Sequence, residues 1–257
     1  MNPLVKVSRE GRMLRLTLNY PEKRNALSSG LCRELVEAFG AAREDAGVGC
    51  VLLDGAGTAF CAGMDLEEAG APGASAKNEV HEPLFSLGRD FPKPIVAAAQ
   101  GAALGGGIGL LANAHVVIAA QGTKFGLTEV RVGLWPLLIW RSVVAALGER
   151  RTLELSLTGR IFGTAEAQQY GLVHEVTPAF ELDDRATATA QHLASLSPEV
   201  MRHGLQFARE ARGMGWDAAG RLALTVRETL FQSPDFQEGV RAFREKRKPV
   251  WPSLGPS

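Results

Sequence analysis

Val5 and Val7 alternate with Lys6 and Ser8, and beyond Glu10-Gly11 the apolar positions Leu14, Leu16 and Leu18 resume at every second residue. Period-two alternation on both sides of a glycine turn predicts a β-hairpin over residues 4–20, with one face of its second strand buried. The period then lengthens. Leu31, Leu35 and Phe39 fall near one face of a helix that Ser28 is placed to cap, and the pattern runs to about Asp45. Three short apolar runs, at 50–54, 95–99 and 116–119, read as buried strands. Between the first two, Gly70, Pro72, Gly73 and Ser75 mark a polar loop over 70–80, and a helix is expected over about 81–89, broken by Pro92 and Pro94. From about Pro136 to the end the spacing is helical. Strand, glycine turn and helix thus alternate through the first half and helices fill the last third, which predicts an α/β core with βαβ units and a helical extension. No linker or low-complexity tract interrupts the chain.

The 257 residues suit one large domain, or one domain with a docking appendage. Lys+Arg (28) balance Asp+Glu (28), so no net field favours nucleic acid or an anionic membrane surface. Cys32, Cys50 and Cys61 form no CxxC pair, and three cysteines make no disulfide framework; a reducing compartment is the simpler reading. Residues 1–10 lack the apolar run of a signal peptide. The most apolar stretch, 94–120, is interrupted by Gln100, several glycines, Asn113 and His115, and so reads as buried strand and helix. A cytoplasmic enzyme is expected.

Several common sites are missing. Gly105 and Gly107 are followed by Leu110, and Gly55 and Gly57 by Phe60, so neither completes a dinucleotide fingerprint. There is no P-loop and no GxSxG elbow, and the five histidines form no HExxH, so no metal is expected. What remains is two glycine turns, each after a buried strand: Phe60-Cys61-Ala62-Gly63-Met64-Asp65-Leu66 and Gly101-Ala102-Ala103-Leu104-Gly105-Gly106-Gly107. Glycine lets main chain approach a ligand, and a turn into a helix leaves N–H groups unpaired. Two such groups could converge on one oxygen, each worth ~10²–10³ in rate at a developing oxyanion. The same glycines could equally serve only close helix–strand packing.

The first turn resembles the oxyanion motif of the enoyl-CoA hydratase/isomerase (crotonase) family, and the second resembles its glycine-rich partner. The resemblance extends along the chain through Asn25-Ala26-Leu27, Pro94-Ile95-Val96-Ala97-Ala98, Phe125-Gly126-Leu127-Thr128-Glu129-Val130, Leu157-Thr158-Gly159-Arg160, Gly171-Leu172-Val173 and the segment 238–247. It implies an α/β spiral of ββα turns in two sheets over 1–194, with a helical trimerisation region over 195–257. It implies oxyanion donors at the main-chain N–H groups of Met64 and Gly106, and Glu129 as the acid–base group. Ala26, Ala62, Asp65, Leu66 and Lys246 would contact coenzyme A, which enters as part of the acyl-CoA substrate; no separate cofactor is expected. Asp65 is also placed to cap the next helix. Trp135, Leu137 and Trp140 follow Glu129 closely and either line the acyl pocket with Gly109 or, as aromatic residues at helical spacing usually do, belong to the core. Leu205, Phe207, Trp216, Leu222, Leu224 and Phe231 would meet other copies in a homotrimer or homohexamer.

One departure bears on the chemistry. Hydratases of the family use two glutamates, the first three residues beyond the oxyanion glycine, and here that position is Gly109. One carboxylate suffices to move a proton from C2 to C4 of a 3-enoyl thioester. The sequence therefore points to a 3-enoyl-CoA to 2-enoyl-CoA isomerase using Glu129 alone. A slow hydratase, another enolate chemistry such as decarboxylation or thioester hydrolysis, and a non-catalytic CoA- or RNA-binding homologue stay open. A Gly109→Glu change would return the second carboxylate.

Overall fold

The structure, a computed structural model, describes residues 2–70 and 81–254. The expected loop at 70–80 lies, beyond Gly70, outside them.

The hairpin forms as its alternation predicts. Strand β1 (Val5–Glu10) pairs antiparallel with β2 (Met13–Leu18) around a two-residue loop, with Gly11 at φ +56°. Helix α1 (Ser29–Glu44) begins where the Ser28 hydroxyl accepts the Leu31 N–H at 3.2 Å, and it buries Leu31, Leu35, Phe39 and Ala42 on one side. Strands β3 (Cys50–Gly55), β4 (Ile95–Ala99) and β6 (Val116–Ala120) run parallel to β2. A last strand, β9 (Glu175–Thr177), completes a six-stranded sheet in the order β1-β2-β3-β4-β6-β9. Both faces of the sheet are covered, which is why its central strands are apolar over most of their length. Leu16, Leu53, Ala97 and Val117 pack toward the larger core, and Met13, Leu52, Val96 and Ile118 pack toward helix α8 (Leu182–Ala194).

A second sheet holds β5 (Ala102–Leu104), β7 (Lys124–Gly126) and β8 (Ile161–Phe162) in the order β5-β7-β8. The sequence pattern shows none of these three strands, nor β9, because two or three residues carry no readable period. Helix α2 (Leu66–Ala69) follows the first glycine turn, and α4 (Gly106–Asn113) follows the second. The helix expected over 81–89 is a 3-10 turn at Glu82–Ser86, with Pro83 near its start, continued by the short α3 (Leu87–Asp90). Helices α5 (Trp140–Leu147), α6 (Glu149–Thr158) and α7 (Thr164–Gln169) lead to β9. Arg160 ties this region, holding Glu154 at 2.6 Å and Glu166 at 3.0 Å while lying over the Phe162 ring.

Beyond α8 come α9 (Pro198–Ala211), α10 (Trp216–Phe231) and α11 (Pro234–Glu245). Ser197 caps α9 and Ser233 caps α11. Neither α9 nor α10 has a fully buried residue, and Trp216 is 93% exposed. Among the described residues no helix is long and apolar enough to cross a membrane, and no cluster of three metal-ligating side chains occurs.

Candidate active site

The first glycine turn is held on both sides by main chain. Leu27 bridges to Met64: the Leu27 N–H donates to Gly63 O at 2.7 Å, and the Asp65 N–H approaches Leu27 O at 3.4 Å. In a parallel bridge of this kind the flanking residues supply the bonds, so the N–H of Met64 itself points away from Leu27. On the other side Cys61 bridges to Ala103, donating to Ala102 O at 3.1 Å and accepting from Leu104 N at 3.0 Å. Neither the Met64 N–H nor the Gly106 N–H has a hydrogen-bond partner among the described residues. Gly106 is the first residue of α4, where no carbonyl one turn back exists to accept it.

The two turns touch through their backbones. A Cβ on Gly63, which sits at φ +93°, would lie 2.8 Å from Leu104 O and 3.6 Å from the Gly106 nitrogen. Gly63 is thus required both by its left-handed conformation and by the approach of the second turn.

Glu129 arrives by a different route. Gly105 donates its N–H to Gly126 O at 2.8 Å, so the end of β7 lies against the second turn, and Glu129 opens the 3-10 turn three residues on. A Cβ on Gly105 would lie 3.1 Å from Glu129 Oε1 and 3.4 Å from its Cδ. The carboxylate rests on the residue next to Gly106. Its Oε2 is buried with no hydrogen-bond partner among the described residues. Burial raises the Glu129 carboxyl above its ordinary value, and its own main-chain N–H opposes the shift only partly. Glu129 forms no ion pair among the described residues, although Arg131 is only two residues away. An orphaned, desolvated carboxylate packed on Gly105, the residue before the unpaired Gly106 amide, makes Glu129 a candidate acid–base group.

Residues 8–253 match the profile of the enoyl-CoA hydratase/isomerase family. The chain belongs to the enoyl-CoA hydratase/isomerase family. It is 35% identical over 247 residues to a protein of Thermus thermophilus named a putative enoyl-CoA hydratase, covering 93% of this chain and 97% of that one. It is 34% identical to the enoyl-CoA hydratase EchA19 of Mycobacterium tuberculosis, over 95% and 94% of the two chains. The fold matches the crystal structure of an enoyl-CoA hydratase from Bacillus anthracis with a TM-score of 0.90 at 30% identity, over 96% and 98% of the chains. The two-sheet α/β architecture read from the sequence is therefore that of the hydratase/isomerase fold.

Within this family member the other expected site residues fall unevenly. Ala26 is buried, Ala62 half-buried and Leu66 exposed, around the first turn. Asn25 holds that region: its Oδ1 accepts the Tyr20 N–H at 2.9 Å, and its Nδ2 donates to Ala56 O at 2.9 Å and Ala59 O at 2.8 Å. Asp65 caps α2, its Oδ1 accepting from Glu67 N at 3.1 Å and Glu68 N at 3.3 Å. Lys246 is the exposed, left-handed residue that ends α11, which packs chiefly on α10 and the terminal turn; the single chain does not bring it to Met64, Gly106 and Glu129. Trp135 and Trp140 pack ring to ring at 6.0 Å, half-buried, whereas Leu137 is 73% exposed.

Two residues that the sequence did not mark matter most. A Cβ on Gly109 would lie 2.3 Å from Ile139 Cγ2 and 2.9 Å from Phe85 Cδ1. The volume beside Gly109 is filled by a buried isoleucine and an aromatic ring. No periodicity could reveal this, since Ile139 precedes α5 and Phe85 lies in a 3-10 turn, far from Gly109 in sequence. Cys61, beside the first turn, is wholly buried and its thiol is pushed up to about 12 by desolvation, so it is no nucleophile. His115 accepts the Ile95 N–H on Nδ1 at 2.9 Å, a structural bond.

Proposed function

We propose that this enoyl-CoA hydratase/isomerase family member isomerises 3-enoyl-CoA to 2-enoyl-CoA with a single carboxylate. The observation that carries this reading is the closed volume at Gly109. Where a second carboxylate would hold a water, Ile139 and Phe85 leave neither the side chain nor the space for it. The thioester carbonyl sits between the Met64 and Gly106 amides. Glu129 Oε2 removes a proton from C2, the electron pair moves into the thioester carbonyl to give a dienolate, and the two amides hold its negative oxygen. The proton then returns from Glu129 to C4, the double bond settles between C2 and C3, and the carboxylate is regenerated. A carboxyl raised above its ordinary value is a stronger base for the first step and still acidic enough to give the proton back.

Coenzyme A enters as part of the substrate along Ala26, Ala62, Asp65 and Leu66. Lys246 meets its phosphates only across a contact between copies. Residues 1–194 form the catalytic core of a cytoplasmic enzyme, and 195–257 its assembly region. A homotrimer or a dimer of trimers is supported by α9 and α10, which leave Trp216 and Leu224 largely exposed in the single chain. Balanced charge speaks against a nucleic-acid partner.

Hydration is the competing reading, favoured by the names of the relatives. The two separate when purified protein is given 3-enoyl-CoA and 2-enoyl-CoA in parallel and the products are identified. Conversion of the first to the second, without 3-hydroxyacyl-CoA, is the expected result; rapid hydration of 2-enoyl-CoA would reverse the assignment.

A further inference from the structure

Shortly before α1 the chain enters the left-handed region twice in succession, at Arg24 (φ +51°) and Asn25 (φ +55°). Consecutive non-glycine residues in that conformation persist only where the surroundings hold them. One side chain does most of the holding. Asn25 is fully buried. Its N–H donates to Tyr20 O at 2.9 Å while its Oδ1 accepts the Tyr20 N–H at 2.9 Å, which closes the turn on itself. Its Nδ2 then reaches out of the turn, donating to Ala56 O at 2.9 Å and Ala59 O at 2.8 Å.

Those two carbonyls lie between β3 and the first glycine turn, in a stretch that belongs to no strand and has no ladder to fix it. A Cβ on Gly55 would stand 2.8 Å from Asn25 Nδ2 and 2.9 Å from Ala59 O. Strand β3 therefore ends on a glycine that leaves room for the amide. The main chain on either side of Asn25 grips the glycine turn itself. Arg24 O accepts the Ala62 N–H at 2.9 Å, and Leu27 donates to Gly63 O and bridges to Met64. The turn at 20–27 thus holds the approach to the first glycine turn by a side chain and the glycine turn by its backbone. Asparagine suits the position because it tolerates a left-handed backbone and carries one acceptor and two donors on a short stem. An ionised aspartate has no donor, and glycine has no side chain.

We propose that Asn25 is a positioning residue for the Met64 oxyanion donor. Fully enclosed, it touches no ligand; it sets where the Met64 N–H points by fixing both supports of the turn that carries it. The proposal rests on the thioester carbonyl lying between the Met64 and Gly106 amides.

Two substitutions in the whole protein test it. Asn25→Gly keeps the left-handed backbone and removes all three side-chain bonds. Asn25→Asp keeps the shape and the bond from Tyr20 but sets a carboxylate against two carbonyls. The probe is hexanoyl-CoA labelled with carbon-13 at the thioester carbon, observed by difference infrared spectroscopy. Two amide donors should draw its carbonyl stretch below that of the free thioester. In each variant, shown to be folded by circular dichroism, about half of that displacement should be lost as one donor swings away. For 3-hexenoyl-CoA, kcat should fall about 10²-fold while KM changes by less than about threefold, the mark of an interaction made in the transition state. As pH falls the introduced carboxyl takes up a proton and can donate to one carbonyl, so Asn25→Asp should regain activity relative to the parent. An unmoved band and an unmoved kcat in folded Asn25→Gly would overturn the proposal. So would failure of both variants to fold, which would make Asn25 a determinant of the fold alone. A raised KM at unchanged kcat would overturn it in favour of a role in holding coenzyme A through Ala26. Absence of any displaced band in the unaltered protein would remove the oxyanion assignment and this proposal together. A displaced band without isomerisation would remove only the proposed reaction, and the infrared comparison would still decide the role of Asn25.

Discussion

Replacing Gly109 by glutamate should fail to make a hydratase unless Ile139 is removed with it. The new Cβ would stand 2.3 Å from Ile139 Cγ2, 2.9 Å from Ile139 Cβ and 2.9 Å from Phe85 Cδ1. Carbon atoms at rest sit about 3.5–4.0 Å apart. The isoleucine must move, yet it is 97% enclosed, with 3% of its surface exposed. Overpacking of this kind costs about 1–3 kcal/mol, and the carboxylate arrives without a partner in a place closed to water, which adds more. The roughly 1 kcal/mol that glycine loses in a helix interior offsets only part of this. A net loss of about 2 kcal/mol corresponds to a fall of ~4–8 °C in Tm for a chain of this size. Ile139→Gly removes both isoleucine contacts, and glycine is tolerated just ahead of a helix such as α5. Alone it leaves a cavity costing ~2–5 kcal/mol. The double variant should be less destabilised than the two singles together, with a coupling of ~1–3 kcal/mol in a double-mutant cycle of denaturant unfolding. It should also form 3-hydroxyacyl-CoA from 2-enoyl-CoA, which neither single variant does. Rapid hydration by Gly109→Glu alone, at unchanged stability, would refute the steric reasoning.

Three further substitutions test the reading. Glu129→Gln should lower kcat for isomerisation by ~10²–10⁴. Because burial raises the folded carboxyl above its unfolded value, stability is highest below the unfolded pKa and is lost as pH rises through the folded one, so the amide should unfold later than the parent at neutral pH in a pH series of urea melts. The parent's isomerisation rate should in turn fall as pH drops through that raised value. His115 is held neutral by burial, with the Gly88 main chain opposing, and its Nδ1 accepts the Ile95 amide; its contribution to stability is present above the unfolded value of 6.5 and is lost as pH falls through the lowered folded one. His115→Asn should flatten that acid limb, and an unchanged limb would remove His115 as its source. Gly63→Ala places a methyl 2.8 Å from Leu104 O at φ +93° and should separate the two turns, lowering kcat by about 10²-fold if one donor is lost; full activity would show that the approach is not needed.

The legible part of the chain was the part with a period or a motif. Alternation announced β1 and β2, an apolar face announced α1, and unbroken runs announced β3, β4 and β6. Ser28 and Asp65 cap where their sequence neighbours said they would. Strands β5, β8 and β9 carried no pattern because each exists only through its partner, as Phe125 meets Phe162 across unrelated sequence; β7 was marked only by the family resemblance of 125–130, and it ends at Gly126, leaving Glu129 in a 3-10 turn rather than on the strand. Glu129 could be picked out by its motif, but its orphaned oxygen could not, since that depends on Arg131 turning elsewhere. The same holds for Ile139 against Gly109, a contact between a helix interior and a residue thirty positions later. Lys246 shows the opposite limit: a motif singles it out, yet in the single chain it is only the exposed residue that ends α11.

The first turn hangs between Leu27 and Ala103 by peptide groups alone. Side chains along it can therefore drift without disturbing the pair of amides, much as a bench vice is indifferent to the tools laid beside it. On the proposed reading, what happens to a thioester held there is set by a handful of neighbours, Phe85, Gly109, Glu129 and Ile139. A lineage built on this scaffold can exchange one reaction for another through substitutions at those few places, while the strands that carry the grip stay as they are.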